Sequence, residues 1–230
     1  MAIKTLIAMM MVSVLPSASN VAAQGAASSG PAALVEDVKS TTAGVEFMDY
    51  IVSGRVIRLK SQDRLVLSYL KSCTHETITG GTVAVGAERS DIQGGQVVRT
   101  TVPCEGGRLR LSAQQANESA ATSFRSVDGK VVELPHLHGQ APLVQLPRAL
   151  TGKNRVLLIE RKDQPGERHE FKIDRATAAG GVYDLAKRKI NLVPGATYDA
   201  SIGGDKLTFQ VDPNAKSGGV PIVSRLVSFR

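Results

Sequence analysis

From Leu34 onward, apolar and polar positions alternate in short runs broken by glycine, proline and asparagine or aspartate. Leu34 to Val38 and Val45 to Val52 begin the series, and Val56 to Leu59 and Leu65 to Leu70 follow on either side of Ser61-Gln62-Asp63. Runs of this length rich in valine, isoleucine and tyrosine predict strands, and the polar triplet predicts a turn. Glu76 to Thr79, Thr82 to Val85 and Gln96 to Val102 repeat the pattern between the glycine pairs Gly80-Gly81, Gly94-Gly95 and Gly106-Gly107, each read as a turn. Arg108-Leu109-Arg110-Leu111 alternates strictly, as a half-buried strand does. Ser112 with Gln115 has the spacing of a capping box, which predicts one short helix over about Ala113 to Ala121.

Asp128-Gly129, Pro135 and Gly139 interrupt any periodicity between Ser126 and Gln140, so this stretch reads as a linker. Beyond it the alternation resumes at Pro142 to Leu146, Val156 to Ile159, His169 to Ile173, Val182 to Leu185, Thr197 to Ile202, Leu207 to Val211 and Val223 to Phe229. Seven short strands at this spacing predict a sandwich. The expected organisation is therefore all-β: residues 24–33 a small-residue spacer, 34–125 a β meander or barrel-like domain with one short helix, 126–140 a linker, and 141–230 an immunoglobulin-like β-sandwich.

Two stretches carry resemblances. The order SGRVIRLKSQDRLVLSYLKSC, continued by ITGGTVAVG, resembles the periplasmic FecR-type β domain: Asp63 falls at that family's turn aspartate and Gly81-Thr82-Val83 at its glycine step. The glycine that the family places before the aspartate is Gln62 here. The signalling role of that family depends on a transmembrane helix and a cytoplasmic antisigma segment, and is not carried over. Leu192-Val193-Pro194-Gly195-Ala196-Thr197-Tyr198 resembles the L-x-P-G-x-x-Y corner of fibronectin type III and related immunoglobulin-like domains. The resemblance implies that Pro194 and Gly195 turn the chain between sheets and that Tyr198 returns its hydroxyl to the corner backbone. The early core tryptophan of that family is missing, since the chain has no tryptophan.

The N-terminus sets the compartment. A basic Met1 to Lys4, an apolar Thr5 to Leu15 and the small residues Val21-Ala22-Ala23 predict a Sec-type signal peptide over residues 1–23. The apolar run is well short of the roughly 20 residues that span a bilayer, so the expected product is a soluble periplasmic or secreted protein without a transmembrane span. In an oxidising compartment Cys73 and Cys104 are expected to pair, and closing that loop would remove about 3–4 kcal/mol of denatured-chain entropy. They are too far apart for a C-x-x-C redox motif.

Charge divides unevenly along the chain. Residues 34–125 hold 11 basic and 10 acidic side chains, and residues 126–230 hold 16 and 11. The densest basic runs, Arg161-Lys162 and Lys187-Arg188-Lys189, form a candidate patch for an anionic envelope surface or an acidic partner. Nucleic acid is not expected after export, and no aromatic residues interleave with these charges for base stacking. His136 and His138 would face the same way in an extended segment, which makes them candidate metal ligands with Glu133 or His169. His75-Glu76 lacks the histidine at position 79 that a H-E-x-x-H site needs, where Thr79 stands. No G-x-S-x-G, Walker or G-x-G-x-x-G motif occurs, and no cofactor is implied. The expectation is a noncatalytic exported envelope protein that binds or scaffolds another protein, the alternative being a metal-dependent or other hydrolase of the periplasm.

Overall fold

A computed structural model describes residues 30–105, 134–147, 150 and 155–229, and these are built mainly of β-strands. The expected signal peptide, the expected Arg108 to Leu111 strand, the expected Gly106-Gly107 turn and the expected Ala113 to Ala121 helix lie outside the described residues. Among the described residues no helix is long and apolar enough to cross a membrane.

The first sheet contains β1 (Ala33–Lys39), β2 (Tyr50–Ile51), β3 (Val56–Tyr69), β4 (Thr74–Val85), β5 (Ser90–Gln93) and β6 (Gln96–Thr101). Their order is β2-β1-β3-β4, with β5 and β6 both on the far edge of β4. Alternation drives the packing: Leu65, Leu67 and Tyr69 of β3 and Ile78 of β4 are fully buried, together with Ala33 and Val35 of β1. Each large apolar side chain buried in this way contributes about 1.5–3 kcal/mol relative to exposure.

Three expected turns are bends inside long strands. β3 runs unbroken through Ser61-Gln62-Asp63, where its register against β4 shifts between Leu59 and Arg64. The Asp63 carboxylate closes this bulge, accepting the Lys60 backbone N–H at 3.0 Å and the Ser40 hydroxyl at 2.6 Å. β4 likewise continues through Gly80-Gly81. Opposite it, Gln93 pairs with Thr82 and Gln96 with Thr79, so β5 and β6 are two halves of one strand interrupted by Gly94-Gly95. The glycines allow close approach, not chain reversal. A Cβ on Gly81 would lie 2.5 Å from the Gln93 carbonyl oxygen, and one on Gly95 would lie 2.2 Å from the Gly80 carbonyl oxygen.

The expected strand over Val45 to Val52 shrinks to Tyr50–Ile51. Before it the chain loops with Met48 at φ 70°, held by Met48 N–H donating to the Val35 carbonyl and Val35 N–H donating to the Asp49 carbonyl. Within the loop, Asp49 N–H donates to the Glu46 carbonyl and Glu46 N–H to the Asp49 carboxylate, and these local hydrogen bonds outcompete the β propensity of the sequence.

The second half contributes β7 (His136–Gly139), β8 (Leu143–Gln145), β9 (Val156–Arg161), β10 (Arg168–Lys172), β11 (Val182–Asp184), β12 (Thr197–Ile202), β13 (Asp205–Lys216) and β14 (Leu226–Ser228). A five-stranded sheet, β10-β9-β12-β13-β7, and a three-stranded sheet, β11-β8-β14, share a core that includes Leu137, Val144, Leu157, Ile159, Tyr198, Phe209 and Val227. β7 pairs in parallel with β13, and β8 with β14. The segment expected as a linker therefore supplies an edge strand from residue 136. Its four residues are too few to declare a period, and its partner lies some seventy residues downstream. A five-residue helix, α1 (Arg175–Ala179), also escapes the pattern; Asp174 caps it by accepting the Thr177 N–H at 2.7 Å.

The three-stranded sheet is buried on both faces. Val144, Tyr183 and Val227 enter the sandwich core, whereas Leu143 and Leu226 join Leu34 of β1 and Leu70, just after β3, with Ile222 and Val223, in a separate apolar cluster. Hydrogen bonds frame this seam: Val223 N–H donates to Glu36 at 2.8 Å, the Ser224 hydroxyl to the Pro103 carbonyl at 2.6 Å, and the Tyr50 hydroxyl to Gln145 at 3.3 Å.

Candidate functional site

Pro194 and Gly195 lead from the segment after β11 into β12, and Gly195 takes the left-handed conformation at φ 80°. Tyr198, fully buried, accepts the Val193 backbone N–H at 3.0 Å and donates to the Glu167 carboxylate at 2.8 Å. Burial pushes its phenol well above the usual tyrosine range. Glu167 also meets Arg161 at 3.5 Å and His169 at 3.3 Å. Arg161 in turn binds Asp163 at 3.0 Å, holding that carboxyl below the usual range, and Asp163 accepts the Thr197 N–H. The corner is thus tied to an ionic network on neighbouring strands.

Two of the five residues of the expected basic patch are engaged in ion pairs within the molecule. Arg161 is paired twice and Lys162 lies 3.7 Å from Asp199, so both cations face acids of the same molecule. Lys187 and Arg188 occupy a 3₁₀ turn after β11, Arg188 lying over the Tyr183 ring at 5.4 Å, and Lys189 ends the turn at φ 58°. The two basic runs follow strands of different sheets.

His136 and His138 share one face of β7, opposite the buried Leu137. His138 stands between two carboxylates, its Nε2 3.6 Å from Glu105 and its Nδ1 3.6 Å from Asp212. Among the described residues no group of three histidine, cysteine, aspartate or glutamate side chains is placed to hold a metal ion. Cys73 and Cys104 are joined in a disulfide, with their Cα atoms 5.7 Å apart.

Three polar groups escaped the sequence reading. Glu76, fully buried in β4, accepts Arg99 Nε at 2.7 Å and the Ser90 N–H at 3.1 Å, while Arg99 also donates to the Ser90 carbonyl. Beside them the Tyr69 hydroxyl meets the Ser90 hydroxyl at 2.8 Å, and burial pushes its phenol up to about 12. Glu76 falls on the inward parity of Ile78, and Arg99 on that of Val97, so alternation could have exposed this pair. Arg225, almost wholly buried, donates to Asp184 at 2.7 Å and to the Ala141 and Val220 carbonyls. Gly139 makes room for it, since a Cβ there would lie 2.9 Å from Arg225 Cβ. No local pattern announces this contact.

The third group is Glu36, Ser68 and His75 at the seam. Ser68 Oγ lies 2.9 Å from His75 Nδ1 and Glu36 Oε2 3.7 Å from the same nitrogen. A relay needs the serine and the acid on opposite ring nitrogens. Ser68 is moreover fully buried, so the trio holds the seam and does not present a nucleophile.

The remaining open feature of the first sheet is its far edge. Among the described residues no strand pairs with β5 or β6 beyond β4, and Val98 in β6 is 66% exposed. An unpaired edge of this kind offers backbone donors and acceptors to an extended segment of another chain. No family of known proteins, no curated protein and no solved structure matches this chain.

Proposed function

We propose that the protein is a noncatalytic exported envelope protein that binds or scaffolds another protein, periplasmic or secreted after removal of residues 1–23. The observation that carries this reading is the β5–β6 edge, exposed and valine-bearing, on a sheet stapled by a disulfide. A partner's extended segment would add a strand there, its backbone supplying affinity and its side chains meeting Val98. The corner sequence and the order of the five-stranded sheet, closed by a parallel edge strand, support an immunoglobulin-like reading of the second half, a scaffold that carries contacts on edges and loops.

Affinity capture of the exported protein from its own compartment, followed by mass spectrometry, tests the proposal, with Val98→Lys as the control. The expected result is a protein partner retained by the native chain and lost by the variant, on material whose N-terminus lies near Gln24. Retention of an equal partner set by Val98→Lys would remove the edge from the argument. A zinc-dependent hydrolytic activity in the purified protein would replace the reading altogether.

A further inference from the structure

The disulfide does not sit in the middle of the first sheet. It lies where that sheet meets the second half of the chain, and it ties down the short segment from Val102 to Glu105. Val102 N–H donates to the Cys73 carbonyl at 3.0 Å, and Cys104 is bonded to Cys73. The same few residues carry contacts to the other side of the seam. The Pro103 carbonyl accepts the Ser224 hydroxyl at 2.6 Å, Glu105 stands 3.6 Å from His138, and Val102 and Cys104 pack on the cluster of Leu143, Ile222, Val223 and Leu226. Cys73 is held at φ 56°, in the left-handed region that non-glycine residues rarely occupy, and both cysteines are partly exposed.

We propose that the Cys73–Cys104 disulfide is a redox-sensitive clasp that docks the second half of the chain onto the first sheet, so that its reduction by a dithiol opens the seam while both halves keep their strands. In the reaction one thiolate of the dithiol attacks a protein sulfur, forming a mixed disulfide and releasing one cysteine thiolate. The second thiolate of the reagent then displaces the other protein sulfur. Two cysteine thiols form and the dithiol leaves as its own cyclic disulfide, so two electrons and two protons pass to the protein. Freed of its covalent tie, Val102 to Glu105 leaves with its half of the seam contacts. Glu36, Leu34, Leu70 and the Tyr50–Gln145 bond remain as the direct connection.

Hydrogen exchange of the full chain, oxidised and after treatment with dithiothreitol, reads the clasp directly. Reduction is expected to raise exchange at least tenfold over residues 220–225, with the β9 and β12 amides unchanged. Unchanged protection at 220–225 would overturn the proposal, as would simultaneous loss throughout β12, which would make the bridge a staple of the whole fold. Ser224→Ala supplies an independent arm in the oxidised protein. Because coupling is reciprocal, loosening the seam must favour the reduced form at equilibrium, and the equilibrium constant for reduction by dithiothreitol should be severalfold larger in the variant than in the native chain. Equal equilibrium constants for reduction would overturn the clasp whatever the reduced chain does.

Discussion

At the scale of single residues, two buried hydroxyls carry more than their area. The Tyr198 hydroxyl serves Val193 N–H and Glu167 together, so Tyr198→Phe keeps the ring packing and strands both partners. The expected cost is about 1–3 kcal/mol by urea denaturation, and a loss near zero would mean that water takes the place of the hydroxyl. Tyr69 makes a prediction in pH. Burial favours its neutral form, raising the folded value to about 12, whereas an unfolded chain titrates near 10. Its contribution is therefore fully present below about pH 10 and is lost as the pH climbs through about 12. Denaturation midpoints between pH 9 and 12 should fall less steeply in Tyr69→Phe than in the native protein.

At the scale of elements, the two glycine pairs explain why the strands were legible and their connections were not. Ile78 and Glu76 are buried on even positions of β4, whereas Val83 and Val85 are buried on odd ones. The inward face changes parity across Gly80-Gly81, and the same change separates Ser90 from Val97 and Arg99 across Gly94-Gly95. A two-residue period reads each half correctly and breaks at the glycines, which is why two long strands appear as four short ones flanking turns. What distinguishes a bend from a turn is the backbone stacked against it, and that is a tertiary fact. Gly81→Ala should therefore destabilise by at least about 1–2 kcal/mol from its left-handed backbone alone, before the clash with Gln93 is counted. A thermal midpoint unchanged from the native would show that the strands can part without cost. Most of the second-half strands were legible because each is an alternating run set between turn residues. β7 and the Arg225–Asp184 contact were hidden, because each depends on residues far away in the chain. The corner was legible in Pro194, Gly195 and Tyr198, but Glu167, its acidic partner, carried no signal.

At the scale of the molecule, the three-stranded sheet is the middle layer between two cores. A fragment from Leu134 to Arg230 keeps β7 but bares Leu143, Ile222, Val223 and Leu226 to water. It is expected to show strand-rich circular dichroism and one cooperative transition at lower denaturant than the full chain. A fragment beginning at Ala141 also loses Leu137, a deletion of a kind worth about 2–5 kcal/mol in packed cores. If neither fragment folds, the chain is one continuous β core. The seam bond between Glu36 and Val223 joins residues 187 positions apart, which turns architecture into a matter of time. Closing so long a loop is among the last things a chain accomplishes, and folds ruled by such contacts refold in about milliseconds to seconds. Glu36→Ala should then accelerate unfolding in stopped-flow measurements and leave the refolding limb where it was, the signature of a contact absent from the transition state. A slowed refolding limb would place the seam in the nucleus instead. Until that contact forms, the apolar seam stands open beside the β5–β6 edge, so the refolding chain passes through an interval in which aggregation competes with closure.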